Sequence, residues 1–405
     1  MNQHIVIIGS GFAGLWSALS AARLLVQHQR EDITVTMLAP QPVLTMRPRL
    51  YEANPAALDF PLSRLLEACG VRFIGGAATK IDTQNQCIHY LPSAEKIEKT
   101  LPFTRVILAS GSVLNRNNIP GAQEFAFDIN DIDSARRLED HLHTLAAQPA
   151  SPGRDTVVIC GGGLTGVELA LELPSRLRKL FGEQALPRII VVDSGKRIGA
   201  AFSEELGNII ATASQCQSVE WRSECRVTHI DSHGVELSDG SNIACFTSVI
   251  TAGVNASPLA GQINAKRDAQ GRLFVNDMLC VEGESSVYAA GDIAHAHCDD
   301  SGHTALMSCQ HAIPMGKFAG YNAVASLLHI SPLPYRQPDY VTCVDLGEWG
   351  AVYTETWQQR VCMTRQEAKQ LKQTITHELI APPQDRTQAF SLADPLAQFV
   401  EMTQE

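Results

Sequence analysis

Two short segments have the residue types and spacing that diphosphate binding needs. Gly9-Ser10-Gly11-Phe12-Ala13-Gly14 and Gly161-Gly162-Gly163-Leu164-Thr165-Gly166 both read GxGxxG. Each follows an apolar run, Ile5-Val6-Ile7-Ile8 in the first and Val157-Val158-Ile159 in the second, and each opens a stretch with helical patterning. In that setting the first glycine permits the tight turn and the second lets the backbone approach a pyrophosphate. The third lets helix and strand pack closely. The helix start then offers free N–H groups and a partial positive charge to the phosphates.

Other candidate groups stand at the ends of apolar runs. Asp193 follows residues 189–192, where a carboxylate accepts hydrogen bonds from both hydroxyls of an adenosine ribose and repels a 2′-phosphate. NADH is therefore expected over NADPH in the second unit, with Lys196 and Arg197 as the nearby counter-signal. The matching position of the first unit is Ala39, which offers no carboxylate. Residues 286–290 lead into Gly291-Asp292, a turn that can set one carboxylate on a ribityl chain. Ala109-Ser110-Gly111 and Ala252-Gly253 are two further strand-to-glycine crossings that mark passages of the chain between the two units.

The supporting elements follow the same plan twice. After the first glycine turn a helix is expected to about Val26, then a strand over 34–38. After the second, a helix is expected from about Val167, then a strand over 189–192. Strands are also expected over 71–74, 86–90, 105–109, 227–238 and 248–251, with Asp239-Gly240 as a hairpin turn. Beyond Pro332 the pattern changes to two strands, 340–344 and 350–354, and a charged helix, 365–378. The uncharged run 5–22 reads as a strand and a buried helix, because three glycines interrupt it and no Lys or Arg precedes it.

With 405 residues the chain is too long for one core. Its 45% apolar and 19% charged residues exclude a disordered or fibrous chain. A formal charge of −11 without basic runs excludes the electrostatic footprint of a nucleic-acid binder. Eleven scattered cysteines without CxxC spacing argue against a zinc site or a redox dithiol and fit a reducing cytoplasm. The group His295, His297, Cys298, Asp299, Asp300 and His303 reads as a polar loop rather than a metal centre, so no metal is expected. Cys160 reads as a small strand-end residue, and Trp349 and Trp357 as filling of the C-terminal core.

Taken together, the two GxGxxG turns, Ala109-Ser110-Gly111 with Ile119-Pro120-Gly121, Ala252-Gly253 and Ala290-Gly291-Asp292 resemble the flavoprotein reductases with two dinucleotide-binding domains. Within them the chain most resembles the type II NADH dehydrogenases (NADH:quinone oxidoreductases), over roughly residues 4–355. Residues 161–172, Thr251-Ala252-Gly253-Val254 with Ser257-Pro258-Leu259, and Cys309-Gln310-His311-Ala312 carry that likeness.

The resemblance implies an α/β fold of two Rossmann-like, glutathione-reductase-like domains plus a small C-terminal α+β domain. The FAD-binding domain is expected over 1–115 and 245–330, the NAD(H)-binding domain over 116–244, and the third domain over 331–405. It implies FAD on Gly9, Gly11, Phe12, Ala13, Gly14, Ala109, Ser110, Gly111, Gly291 and Asp292. Arg47-Pro48 is similar to an FAD-contacting pair of related ferredoxin reductases. NADH is implied on Gly161, Gly163, Leu164, Thr165, Gly166, Asp193 and Gly253, with Glu168 as the catalytic residue near the nicotinamide. Gln310 and His311 would face the flavin and an acceptor pocket.

The implied activity passes hydride from NADH to FAD and electrons on to a quinone-like acceptor. A reductase of a small iron–sulfur or other carrier protein, or a low-turnover flavin sensor, stays open. Three departures from the family stand out: Ala39, the paired arginines of Met46-Arg47-Pro48-Arg49-Leu50-Tyr51, and a charged tail in place of a membrane-binding amphipathic one. The expected location is cytoplasmic, at most peripheral at the inner face of the membrane, with a homodimer left open.

Overall fold

The run Ile5-Val6-Ile7-Ile8 is buried throughout, as a strand covered on both faces must be, and it forms the middle of a seven-stranded sheet. This computed structural model describes residues 3–397. Across that sheet the order is Val287–Ala289, Arg105–Leu108, Gln3–Ile8, Ile33–Ala39, Arg72–Asp82, Cys87–Pro92 and Lys99–Pro102. The first five strands run parallel, and the last two fold back antiparallel as a meander. The second sheet is wholly parallel, in the order Phe127–Asp128, Thr247–Ile250, Thr156–Cys160, Arg188–Val192 and Val219–Arg222. An antiparallel sheet of three short strands, Val227–Asp231, Gly234–Leu237 and Asn242–Ala244, follows that second unit. The expected α/β architecture with two nucleotide-binding sheets is the one observed.

Several local expectations need correction. Residues 227–238 form two strands, because the Asp231 carboxylate accepts from the N–H groups of His233 and Gly234 and turns the chain there. The Asp239-Gly240 hairpin stands where expected, between the second and third of these strands. Thr247–Ile250 was expected in the FAD-binding part, beyond residue 245. It pairs instead inside the second sheet, between Phe127–Asp128 and Thr156–Cys160. The chain crosses between the two units at Ser112–Leu114 and Val254–Ala256, and these two crossings pair antiparallel. The second long helix starts at Leu164 rather than Val167, directly behind an extended Gly163.

The C-terminal unit has one strand more than expected. Val341–Asp345, Ala351–Glu355 and Arg360–Thr364 form an antiparallel sheet covered by the helix Arg365–Thr374. That helix is polar in sequence yet buries Ala368 and Lys372. Residues 398–405 of the expected third domain lie outside the described residues. Among the described residues no helix is long and apolar enough to cross a membrane.

One crossing holds the first unit together. The helix Phe12–Gln27 lies against Cys309–Leu328 so closely that a Cβ on Gly316 would stand 2.5 Å from the Ala13 carbonyl oxygen. A Cβ on Gly320 would overlap the Ser17 carbonyl. Backbone cannot yield as a flexible side chain does, so this contact admits only glycine. Gly320→Ala is expected to lower stability by about 1–3 kcal/mol. Gly261→Ala, at a position with no atom within 4 Å, is expected to change it by less than about 0.5 kcal/mol. Thermal melts of the two variants check the difference.

Candidate active site

The two glycine turns share one pattern of crowding. A side chain on Gly9 would strike the Ala109 carbonyl, and one on Gly14 the Gly9 carbonyl. In the second turn a Cβ on Gly161 would lie 2.6 Å from the Ala252 methyl, and one on Gly166 would strike the Gly161 carbonyl. The middle glycines differ: neither Gly11 nor Gly163 has a protein atom within 4 Å of such a Cβ. The first and third glycines are thus explained by the protein's own packing, and the second by open space in front of the helix.

The helix starts point the same way. Among the described residues five helices exceed ten residues. Ile132–Ala146 and Glu204–Cys216 are capped by the side chains of Asp131 and Ser203. Phe12–Gln27, Leu164–Phe181 and Cys309–Leu328 have no side-chain cap, so their first N–H groups are left for an anion or a polar ligand. Ser110 Oγ is buried without a hydrogen-bond partner beside the first turn. An uncapped helix, an open middle glycine and an orphaned hydroxyl are what a bound dinucleotide would complete.

The remaining candidates for the first site fall near one another. Asp292 accepts from Ser112 Oγ at 2.6 Å and lies 3.6 Å from an Arg47 guanidinium nitrogen. The other Arg47 amino group donates to Asn130 Oδ1 at 2.6 Å, a partner that the sequence did not suggest. Pro48 shares the 3₁₀ turn Arg47–Arg49. Phe12, Ala13 and Ala109 are buried, and Gly111 (φ +67°) lies beside Arg47. Gly291 takes φ +76° with Ala13 and Ala312 pressed against it. Ala39 is buried and presents a methyl group.

In the second site Asp193 accepts from the N–H groups of Gly162 and Gly195, both at 2.8 Å. Arg197 donates to the carbonyl oxygens of Ile198, Gly199 and Phe202, so its charge is engaged by backbone rather than held out toward a phosphate. Leu164 and Thr165 are exposed at the helix tip, and Gly253 (φ +88°) carries the turn into the crossing.

Glu168 is buried two residues beyond Gly166, but its partners come from far along the chain. Its Oε1 accepts from Lys372 Nζ at 2.6 Å and from the Asp345 N–H at 3.1 Å. Burial raises the Glu168 carboxyl above its usual range, with the Lys372 ammonium opposing it. Burial also works against the Lys372 charge, yet Glu168, Cys343 and Asp345 together outweigh it and hold the ammonium above its ordinary value. Asp345 in turn accepts from Tyr51 Oη at 3.1 Å and from Lys369 Nζ at 2.5 and 2.7 Å. All three units of the fold therefore meet in one buried polar network. No spacing in the sequence signals it, because its members lie up to 294 residues apart within single hydrogen bonds.

The acceptor-side candidates are more enclosed than expected. Gln310, with its amide set to suit its neighbours, pairs with the Val341 carbonyl and N–H at 2.8 and 3.0 Å. His311 is fully buried, with Nδ1 hydrogen-bonded to Ser308 Oγ at 3.0 Å and Nε2 without a partner. Burial pushes its imidazole down to about 4, so it is neutral at pH 7. Tyr340 and Trp357 stack with ring centroids 4.7 Å apart, and both lie within 6 Å of the His311 ring. Trp357 thus joins two units rather than filling the C-terminal core alone, whereas Trp349 packs there under the Arg365 guanidinium. His295 is held by Asp268 and Arg272, and His303 by Asp299 and the Trp357 ring. The histidine-rich loop therefore does not converge on one point. Cys160 is core, its thiol pushed up to about 12 by burial.

Residues 3–316 match the model of the pyridine nucleotide-disulphide oxidoreductases. The chain belongs to this family. It is an enzyme of that class, and the family's use of flavin and pyridine nucleotide agrees with the two open glycine turns. An NADH dehydrogenase-like protein of Mycobacterium tuberculosis is 39% identical over 394 residues, covering 96% of this chain and 97% of the relative. The demethylphylloquinone reductase of Synechocystis is 30% identical over 364 residues, 87% of this chain and 86% of the relative. Among solved structures, the NDH2 of Plasmodium falciparum in complex with NADH superposes with a TM-score of 0.78. The match covers 97% of this chain and 98% of that one at 14% identity, a likeness of fold.

The network makes stability depend on pH. Glu172, one helical turn beyond Glu168, has its carboxyl raised from 4.5 to about 7 by burial, with Asp345 and Glu52 adding to the effect and Lys369 opposing it. A carboxyl raised on folding stabilises below its unfolded value and loses that contribution as pH rises through the folded one. Wild-type protein should therefore weaken relative to Glu172→Gln between about pH 5 and pH 8, by up to about 3 kcal/mol. Denaturant midpoints across that range check it.

Proposed function

We propose that this chain is an FAD-dependent NADH dehydrogenase that delivers electrons to a quinone-like acceptor. The observation that carries the reading is the repeated glycine turn, crowded at its first and third positions and open at its second, in front of two uncapped helices. FAD, when bound, would supply the two-electron carrier between NADH and a separate acceptor. The first turn would hold its pyrophosphate and Asp292 its ribityl hydroxyls, with Arg47 and Ser112 holding that carboxylate in place. In the second turn Gly163 admits the NADH pyrophosphate, and Asp193 stands at the strand end where the adenosine ribose lies. Arg197 is turned into backbone carbonyls, which leaves the exposed Lys196 as the nearby cation to set against the repulsion of a 2′-phosphate by Asp193.

Glu168 is the residue proposed to orient the nicotinamide, with Lys372 and the Asp345 N–H fixing its carboxylate. Gln310 and His311, at the start of the third uncapped helix, are proposed to border the acceptor. There a neutral imidazole with a free Nε2 offers one hydrogen bond to a carbonyl oxygen. The quinone acceptor is further supported by the quinone-reducing activities that the names of two relatives state, the demethylphylloquinone reductase and the type II NADH:quinone oxidoreductase of Staphylococcus haemolyticus.

Purified protein should be yellow, release FAD on denaturation, bleach anaerobically with NADH and recover on addition of quinones. NADH should exceed NADPH in kcat/KM, and Asp193→Ala should narrow that gap. Recovery with a carrier protein but with no quinone would replace the acceptor reading. Glu168→Gln should slow flavin reduction in stopped flow about tenfold, equivalent to about 1.4 kcal/mol of barrier, while the flavin spectrum stays unchanged. An unchanged reduction rate would return Glu168 to a purely structural role.

A further inference from the structure

The sequence argues against a metal, and its histidine-rich loop does not converge. A different set of metal-binding side chains does. Asp82, Cys87 and His89 lie with ligand atoms all within 4.8 Å of one another, at the outer part of the seven-stranded sheet. The register explains the convergence. Asp82 pairs directly with Cys87 across the antiparallel strands Arg72–Asp82 and Cys87–Pro92, and His89 is two residues beyond Cys87 on the same face. The turn between them is tight, with Gln86 at φ +50°.

We propose that Asp82, Cys87 and His89 form a zinc site. Its donors are one thiolate, one imidazole and one carboxylate, a set that suits tetrahedral Zn²⁺. Calcium and magnesium take only oxygen ligands. The donors are half-buried, so an ion can enter from solvent.

Two features beyond the donors hold them in place. Asn85 donates to both Asp82 oxygens, from its backbone N–H at 2.9 Å and its side-chain amide at 3.1 Å, which fixes the carboxylate at the end of its strand. Glu98 lies 3.3 Å from His89 Nδ1 and is itself fixed by Thr79 Oγ1 at 2.5 Å. A carboxylate on the second nitrogen of a ligating histidine sets its tautomer and raises its basicity, leaving Nε2 for the metal. Lys80 reaches Asp82 at 3.8 Å from a largely exposed position, and the ion would displace it. Binding converts the Cys87 thiol to a zinc-bound thiolate and releases its proton to solvent, so affinity should rise with pH. The fourth position belongs to water. The site would clasp the hairpin at residues 82–87, apart from both nucleotide turns.

The test uses the flavin-loaded protein, stripped with EDTA and dialysed against buffered zinc. Elemental analysis should find one zinc per chain. Cys87→Ser and His89→Ala should each weaken binding at least tenfold while keeping full flavin content and NADH oxidation. X-ray absorption of the zinc-loaded wild type should show a single sulfur at about 2.3 Å with nitrogen and oxygen neighbours. That measurement decides the matter even if a variant fails to fold. No stoichiometric zinc, uptake unchanged in Cys87→Ser, or a shell with no sulfur or with several would overturn the proposal.

Discussion

The structure depends on backbone packed against backbone at the two glycine turns. In each, the first residue of the turn is pressed against the neighbouring crossing strand, at Ala109 or Ala252, and the helix returns onto the turn at its third glycine. That contact brings the helix start level with the strand ends and leaves its N–H groups without a side-chain cap. An uncapped helix is costly unless water or a ligand satisfies those donors. The same close approach recurs at Gly316 and Gly320, where the helix Cys309–Leu328 is seated on Phe12–Gln27. The third uncapped helix start, with Gln310 and His311 at its head, is thereby set beside the Gly291-Asp292 turn.

Around this frame the three units also meet through buried polar contacts at Glu168 and Asp345. Glu168 comes from the second unit, Tyr51 from the first, and Asp345, Lys369 and Lys372 from the third. Buried charges of this kind are poor sources of stability, because each must lose its water before it gains its partner. Here they have a geometric effect. A carboxylate held by an ammonium and a backbone N–H has one orientation, and three units that share it keep one relative position. The C-terminal sheet thus acts as a brace for the second nucleotide helix, while Gln310 clamps the third helix to Val341.

The family admits many chemistries on one frame, and the surroundings of the flavin decide among them. The eleven cysteines are all free, and those nearest the network, Cys309 and Cys343, are thiols pushed up to about 11 and about 12 by burial. Such thiols are poor nucleophiles at neutral pH. Neither thiol is therefore activated for thiol–disulfide chemistry, and the neutral, enclosed His311 stands against the aromatic pair Tyr340 and Trp357.

The sequence alone determined what is local. A strand, a GxGxxG turn and a helix occupy some twenty consecutive residues, so their physical signals are contiguous, and both copies were legible, as were Asp193 and Gly291-Asp292 at strand ends. The fold class followed from the repeat. Tertiary structure decided whatever depends on register or on distant partners. The strand Thr247–Ile250 reads as part of the FAD-binding unit, and only its pairing with Thr156–Cys160 assigns it to the other. Arg365–Glu378 reads as a solvated polar helix until Lys372 is seen to meet Glu168, because nothing within the helix announces a buried counter-charge. Asp82, Cys87 and His89 share no motif spacing, and the antiparallel pairing of two strands puts them on one face. Spacing along a chain reports on chemistry that one turn or one helix can assemble. Where the groups come from separate strands or units, hydrogen-bond register and packing bring them together, and these exist only in the folded molecule.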